Sequence, residues 1–164
     1  MTLSTLLADL QAAPFAVAIR EGSYLFPWIE SIHVLAITIV VGIVAIMDLG
    51  LIGVASHSSS VRKLLHDANP LAWGFFALAT VTGFLLFASA ATTYIVNPAF
   101  LLKFVVMAVA GLNMLLFHTV GLRGSDTWNI AVKPPARARI AGLISLTCWI
   151  VVVGAGRWIG FLSN

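Results

Sequence analysis

Five of the ionisable residues within the long apolar stretches of this sequence could act together in chemistry: Glu30, His33, Asp48, Lys103 and His118. Ionisable side chains inside membrane helices are costly, so they usually face the interior of a bundle and mark functional sites. Imidazole is a ligand for heme iron and copper, and carboxylates and lysines pair with the groups around such a centre. The chemistry therefore depends on which helices carry these five residues and whether those helices bring them together.

The composition is that of an integral membrane protein. Hydrophobic residues make up 60% of the 164 residues and charged residues 9%, and the mean hydropathy is +1.04. Leucines at helical spacing in residues 2–20 predict an amphipathic helix in the membrane interface. Four later stretches can each cross a hydrocarbon core of about 30 Å: residues 28–54, 71–96, 99–122 and 140–162. We predict one all-α membrane domain, 1–164, built as a four-transmembrane-helix bundle with an N-terminal interfacial amphipathic helix.

The basic residues predict how the bundle is oriented. The connections at residues 55–70 and 123–139 are polar and lie on one face, which carries six Lys or Arg residues against three on the other face. The positive-inside rule then makes this loop face cytoplasmic and puts both termini on the outer side of a cytoplasmic membrane. The cations do not cluster with aromatic residues, so we expect a lipid bilayer and no nucleic acid as partner. Cys148 is the single cysteine, which excludes a disulfide framework or a Cys-rich metal site.

The third apolar stretch carries a stripe of residues that we expect to face the bundle interior. Its members are Lys103, Met107, Gly111, Met114 and His118, separated by 4, 4, 3 and 4 residues.

The polar residues of the first and third stretches form two pairs. His33 and Asp48 are fifteen residues apart, as are Lys103 and His118, a separation of about 22 Å along a helix. The two stretches run in the same direction, so His33 and Lys103 lie near the outer end and Asp48 and His118 near the inner end. This distance argues against one heme held between His33 and His118.

At the outer end we predict heme b or a similar planar cofactor. His33 would be the axial ligand, Glu30 would orient its second ring nitrogen, and Lys103 would meet a propionate or a substrate. At the inner end Asp48 would hold His118 for metal ligation or proton transfer, with copper as one metal that suits the site. A structural role, in which these groups satisfy one another and fix helix register, stays open for both pairs.

The sequence also resembles known families. Similarity to an uncharacterised family of small bacterial four-helix membrane proteins extends from about Ala18 to His118 and rests on residues 18–23, 27–33, 48–53 and 97–103. That family usually has Arg where Gly50 stands here, so no role for that arginine is carried over. More distantly, His33 and Lys103 are similar in position to residues of HemJ-type protoporphyrinogen oxidases and CopD-like copper-resistance domains. The first similarity implies heme b on His33 and an essential Lys103, and the second implies copper handling.

Three functions follow as hypotheses. The first is a heme b redox protein of the bacterial inner membrane, a candidate oxidoreductase, that passes electrons between a quinol or porphyrin-like partner and an outer-face acceptor. The second is a non-enzymatic helical scaffold or accessory subunit of a membrane complex. The third is transport of copper or a small cation along the stripe from Lys103 to His118. Whether the chain forms an oligomer or joins a redox partner protein stays open.

Overall fold

The computed structural model describes residues 2–54, 59–117, 119 and 135–162, without the side chains of residues 59–69 and 162. Within these ranges the chain forms helices and no strand: α1 (Leu3–Ala12), α2 (Pro14–Glu21), α3 (Leu25–Ile52), α4 (Ser59–Ser89), α5 (Ala91–Tyr94), α6 (Pro98–Leu116) and α7 (Ala136–Leu162). Four of these helices contain segments long and apolar enough to cross a membrane: Leu25–Ile52, Pro70–Ser89, Pro98–Leu116 and Ala136–Phe161. The predicted all-α fold with four membrane-spanning helices is confirmed.

The long helices pack in the order α4, α3, α7, α6. Helix α3 packs against α4 on one side and α7 on the other, and α7 also packs against α6. Aromatic rings link α4 to α6 at the end of the bundle that carries His33, predicted above to be the outer end, where Phe87 stacks on Phe100 with ring centroids 5.4 Å apart. Because α3 and α7 occupy the middle of this order, polar residues on their shared face are the ones most removed from lipid.

The second apolar stretch differs from its predicted limits of 71–96. Helix α4 already begins at Ser59 and ends at Ser89, because Ala90 adopts φ −147° and ψ 43° and breaks the helical backbone. Asn97 then caps α6, its side-chain oxygen accepting hydrogen bonds from the backbone N–H groups of Ala99 at 3.0 Å and Phe100 at 3.3 Å. Pro98 follows at the first helical position, where no N–H is needed.

The N-terminal segment forms two short helices that pack against the outer end of the bundle. Pro14 begins α2, so the predicted single helix over 2–20 is divided there. The Arg20 guanidinium donates to the backbone oxygen of Ser89 at 3.2 Å, and the Gln11 side-chain oxygen accepts from the Thr92 hydroxyl at 2.7 Å. Leu3 remains 68% exposed, as an apolar side chain turned toward the membrane interface would be.

Candidate functional site

The His33 ring is held by the neighbouring helix α4. Its Nδ1 lies 3.0 Å from the Thr82 hydroxyl oxygen. That hydroxyl has one proton and donates it to the Leu78 backbone oxygen at 2.7 Å, so it accepts the bond from the Nδ1–H of His33. The hydrogen-bond pattern therefore assigns a proton to Nδ1. The ring also lies within hydrogen-bonding reach of the Ala79 backbone oxygen, and Nε2, the nitrogen that does not contact Thr82, is the candidate ligand atom.

Gly83 lets α4 approach the imidazole closely. A Cβ atom at this position would lie 2.8 Å from His33 Cε1 and 3.5 Å from its Nδ1. The first distance is shorter than a van der Waals contact permits, so any larger residue would displace the ring. Thr82 and Gly83 together fix both the position and the rotation of His33.

Lys103 reaches the same end of the bundle from α6. Its ammonium nitrogen lies 4.0 Å from where a Cβ on Gly156 of α7 would stand, so this part of α7 lies beside the cation. The lysine acts electrostatically on His33, and both side chains are half-buried. The structure thus places His33 of α3 and Lys103 of α6 at the same end of the bundle.

Glu30 lies elsewhere than expected. Thr82 occupies the bond on Nδ1 that Glu30 was predicted to make, because α4 packs directly against the ring while Glu30 remains exposed. The Glu30 carboxylate instead acts on Tyr94, which follows α4 in the chain. Burial, and then this negative charge, raises the pKa of the Tyr94 phenol above its ordinary value of 10.0.

Asp48 lies near the inner end of α3 and is only 4% exposed. Helix α7 covers it, since a Cβ on Gly142 would lie 3.0 Å from the Asp48 backbone oxygen. The Ser145 hydroxyl on α7 is a hydrogen-bonding neighbour of the carboxyl. His118 lies outside the described residues, so its predicted pairing with Asp48 stays a prediction.

The interior stripe of α6 is rotated from the predicted one. Met114 is 47% exposed, and a Cβ on Gly111 would meet no atom within 4 Å. Ala110 is buried instead, and the Asn113 side chain donates to the Ala141 backbone oxygen of α7 at 3.0 Å. The prediction for Met114 and Gly111 was wrong because α6 packs mainly against α7. The face of α6 that contacts α7 is displaced by one residue, about 100° around the helix, from the predicted face.

Several residues that shape the two sites were not singled out from the sequence. Thr82, Gly83 and Gly156 surround the outer pair, and Gly142 and Ser145 surround Asp48. The one available signal was a small or hydroxyl-bearing residue inside an apolar span, which often marks a close helix contact. That signal does not say which neighbouring side chain the contact accommodates.

Residues 18–162 match the model of a family of unknown function, DUF6644. The chain belongs to this family. No curated protein matches the DUF6644 chain, and no solved structure does. The family match confirms the predicted membership of an uncharacterised family, whereas the similarity of this DUF6644 protein to HemJ-type and CopD-like domains stays a prediction.

Proposed function

We propose that the protein is a heme b redox protein of the bacterial inner membrane that passes electrons between a quinol or porphyrin-like partner and an outer-face acceptor. The observation that supports this most is the hydrogen bond from His33 Nδ1–H to Thr82. Histidines that bind a metal commonly donate their other ring N–H to a fixed acceptor, which sets the tautomer and the ring orientation. His33 has this arrangement, with Nε2 left for the iron.

The neighbouring residues suit heme b as well. Lys103 offers a half-buried cation near His33, and heme propionates are anions that such a cation would hold. Aromatic residues of α4 and α6 lie at the same end, where Phe100 and Phe104 have ring centroids 4.7 Å apart. Heme b, when bound, supplies a one-electron iron couple whose potential depends on its axial ligand and on local burial.

Each described residue then has a defined part. His33 would hold the heme iron through Nε2, while Thr82 keeps the ring in one orientation and Gly83 leaves space for that ring. Lys103 positions an anionic group of the cofactor or of a bound partner. A quinol would deliver two electrons in two one-electron steps and release two protons, and the acceptor would receive both electrons.

The position of the site suits exchange with an outer-face acceptor. His33 lies eight residues after the start of α3 at Leu25, which is about 12 Å of helix. The charge asymmetry of the loops puts this end of α3 on the outer side under the positive-inside rule. An acceptor docked there would be close to the iron, whereas a cytoplasmic acceptor would be separated from it by most of the bilayer.

The test is a visible spectrum of detergent-purified protein from heme-replete cells, oxidised and then reduced with dithionite. We expect a Soret band that shifts on reduction and is absent in His33→Ala. The band should be kept in Thr38→Ala, a control on the same helix whose exposed hydroxyl donates to the Val34 backbone oxygen. Reduction by a water-soluble quinol such as duroquinol would support the proposed electron donor. A folded wild-type protein without a Soret band would contradict the proposal.

A scaffold or accessory subunit is the second candidate function. In an apolar 18-residue stretch of the helix Pro98–Leu116, only 11% of the residues are buried within the chain, and in the corresponding stretch of Leu25–Ile52 only 17% are. Such open helices offer long apolar faces to lipid or to other membrane subunits. A colourless, well-folded protein that copurifies with a membrane complex would favour this role. Copper or small-cation transport stays a prediction, because the inner-end residue His118 lies outside the described ranges.

A further inference from the structure

The Asp48 carboxyl is buried without a complete set of hydrogen-bond partners. It is 4% exposed, and its Oδ2 has no hydrogen-bond partner among the described residues. Helix α7 closes over it, with the backbone at Gly142 in close contact and Ser145 as the hydrogen-bonding neighbour. Buried polar groups are nearly always paired, so an oxygen left in this state requires a physical reason.

No described cation neutralises this carboxyl. On α7, the charged residues nearest in sequence to Gly142 and Ser145 are Arg137 and Arg139, and both are exposed. No ion pair links Asp48 to a described residue. Four ionisable residues at the start of α4 have side chains outside the described set, and His118 lies outside the described residues altogether; the four are Arg62, Lys63, His66 and Asp67. An ionised carboxylate moved into an apolar environment without a partner is far more costly than the neutral acid.

We infer that Asp48 is a proton-binding site in the inner half of the bundle, a carboxyl that holds a proton at rest and exchanges it with water at the loop face. When the Asp48 carboxyl is protonated it is neutral, so the Oδ2 atom without a hydrogen-bond donor carries no negative charge that a neighbour would have to compensate. The Ser145 hydroxyl of α7 is the neighbour with which the carboxyl can share a hydrogen bond. This assignment needs no heme and is independent of the proposed redox function.

The position of Asp48 limits the exchange to one side. Helix α3 ends at Gly53, whose φ of 89° is in the left-handed region, five residues after Asp48. Five residues are about 7 Å of helix, so loop-face water is close. The outer site at His33 is about 22 Å away along the same helix, which is too far for direct proton transfer between the two.

The test is infrared spectroscopy of the purified full chain at neutral pH, in H₂O and D₂O. We expect a C=O stretching band of a protonated carboxyl that is lost in Asp48→Asn and kept in Asp9→Asn, a control at an exposed position of α1. Ser145→Ala should shift the same band without removing it, because it deletes a hydrogen bond to the carboxyl. This second variant keeps the test decisive if Asp48→Asn fails to fold.

The D₂O measurement tests exchange. A band that shifts after transfer to D₂O shows that the proton reaches water, as proposed. A wild-type spectrum without a protonated-carboxyl band assignable to Asp48 would overturn the inference. A carboxylate band that responds to sodium would also overturn it, and would assign a metal cation to the site instead of a proton.

Discussion

The two ends of α3 bury polar side chains in different ways. At the outer end His33 is half-buried, its Nδ1–H is bonded to Thr82, and Gly83 shapes the space around the ring. At the inner end Asp48 is almost fully buried, and one of its oxygens has no partner in the described part of the chain. A bonded and oriented imidazole suits ligation, whereas a buried carboxyl with no described cation beside it suits the storage of a proton. Under the two proposals, one helix would serve two chemistries, one near each of its ends.

The largest effect is expected at Gly83. Gly83→Ala puts a Cβ 2.8 Å from His33 Cε1, which forces the ring away from Thr82. We expect a loss of stability of about 1–3 kcal/mol from overpacking, together with loss of bound heme. Gly74→Ala on the same helix is the control, because a Cβ there meets nothing within 4 Å. Equal thermal stability and heme content in the two variants would show that the ring position does not depend on Gly83.

A matched change at the inner end should separate the two sites. Gly142→Ala puts a Cβ 3.0 Å from the Asp48 backbone oxygen and 3.1 Å from Leu51 Cβ. Since neither atom can swing away, we expect destabilisation of about 1–3 kcal/mol and a shifted Asp48 infrared band, with heme content unchanged. Gly154→Ala, where the added Cβ meets no atom within 4 Å, should change neither the stability nor the band. Loss of heme in Gly142→Ala would mean that the two ends are coupled.

Removing the acceptor on Nδ1 should weaken the outer site without destroying it. Thr82→Val keeps the side-chain shape but leaves the Nδ1–H of His33 unpaired, and loss of such a partner lowers metal-site affinity by about 10–100-fold. Thr80→Val is a matched control, because within the described part of the chain that exposed hydroxyl bonds only the Phe76 backbone oxygen, at 2.8 Å. Heme titration of both variants measures the difference. Wild-type affinity in Thr82→Val would remove the main support for His33 as a ligand.

The smallest effect concerns pH at the outer end, where burial and the Glu30 carboxylate raise the pKa of Tyr94. As pH rises, the phenol ionises in the unfolded chain before it does so in the folded protein. The contribution of Tyr94 to the free energy of unfolding is therefore complete below about pH 10. It is lost as pH rises through the higher pKa of the folded state. Melting temperatures on both sides of that pH should fall less steeply in Tyr94→Phe than in wild type. Tyr24→Phe, a change at a 78% exposed position, should leave the slope unaltered.

The fold was largely predictable because long apolar stretches have few alternatives in a membrane. Residues 28–54 became α3 at Leu25–Ile52, and residues 140–162 lie within α7 at Ala136–Leu162. The end of α4 at Ser89 was not predictable, because residues 90–96 remain apolar while the backbone at Ala90 leaves the helical region. Hydropathy reports the affinity of a segment for lipid and does not report where its helix breaks.

The site was predictable in its residue types and less so in its contacts. His33 and Lys103 were selected because charge inside an apolar span is unusual, and they do lie at one end of the bundle. Their neighbours Thr82 and Gly156 depend on how α4 and α7 pack, which helix periodicity does not determine. The same uncertainty in packing explains why the interior face of α6 was assigned to Met114 instead of Asn113.

The most direct test of the central claim is chemical rescue of the axial ligand. Visible spectra of His33→Gly would be recorded with and without added imidazole, before and after reduction by dithionite. If Nε2 of His33 binds the iron, the variant lacks the wild-type Soret band and regains a band that shifts on reduction when imidazole fills the space. A variant that keeps the wild-type band without imidazole, or a wild-type protein with no band, would contradict the claim.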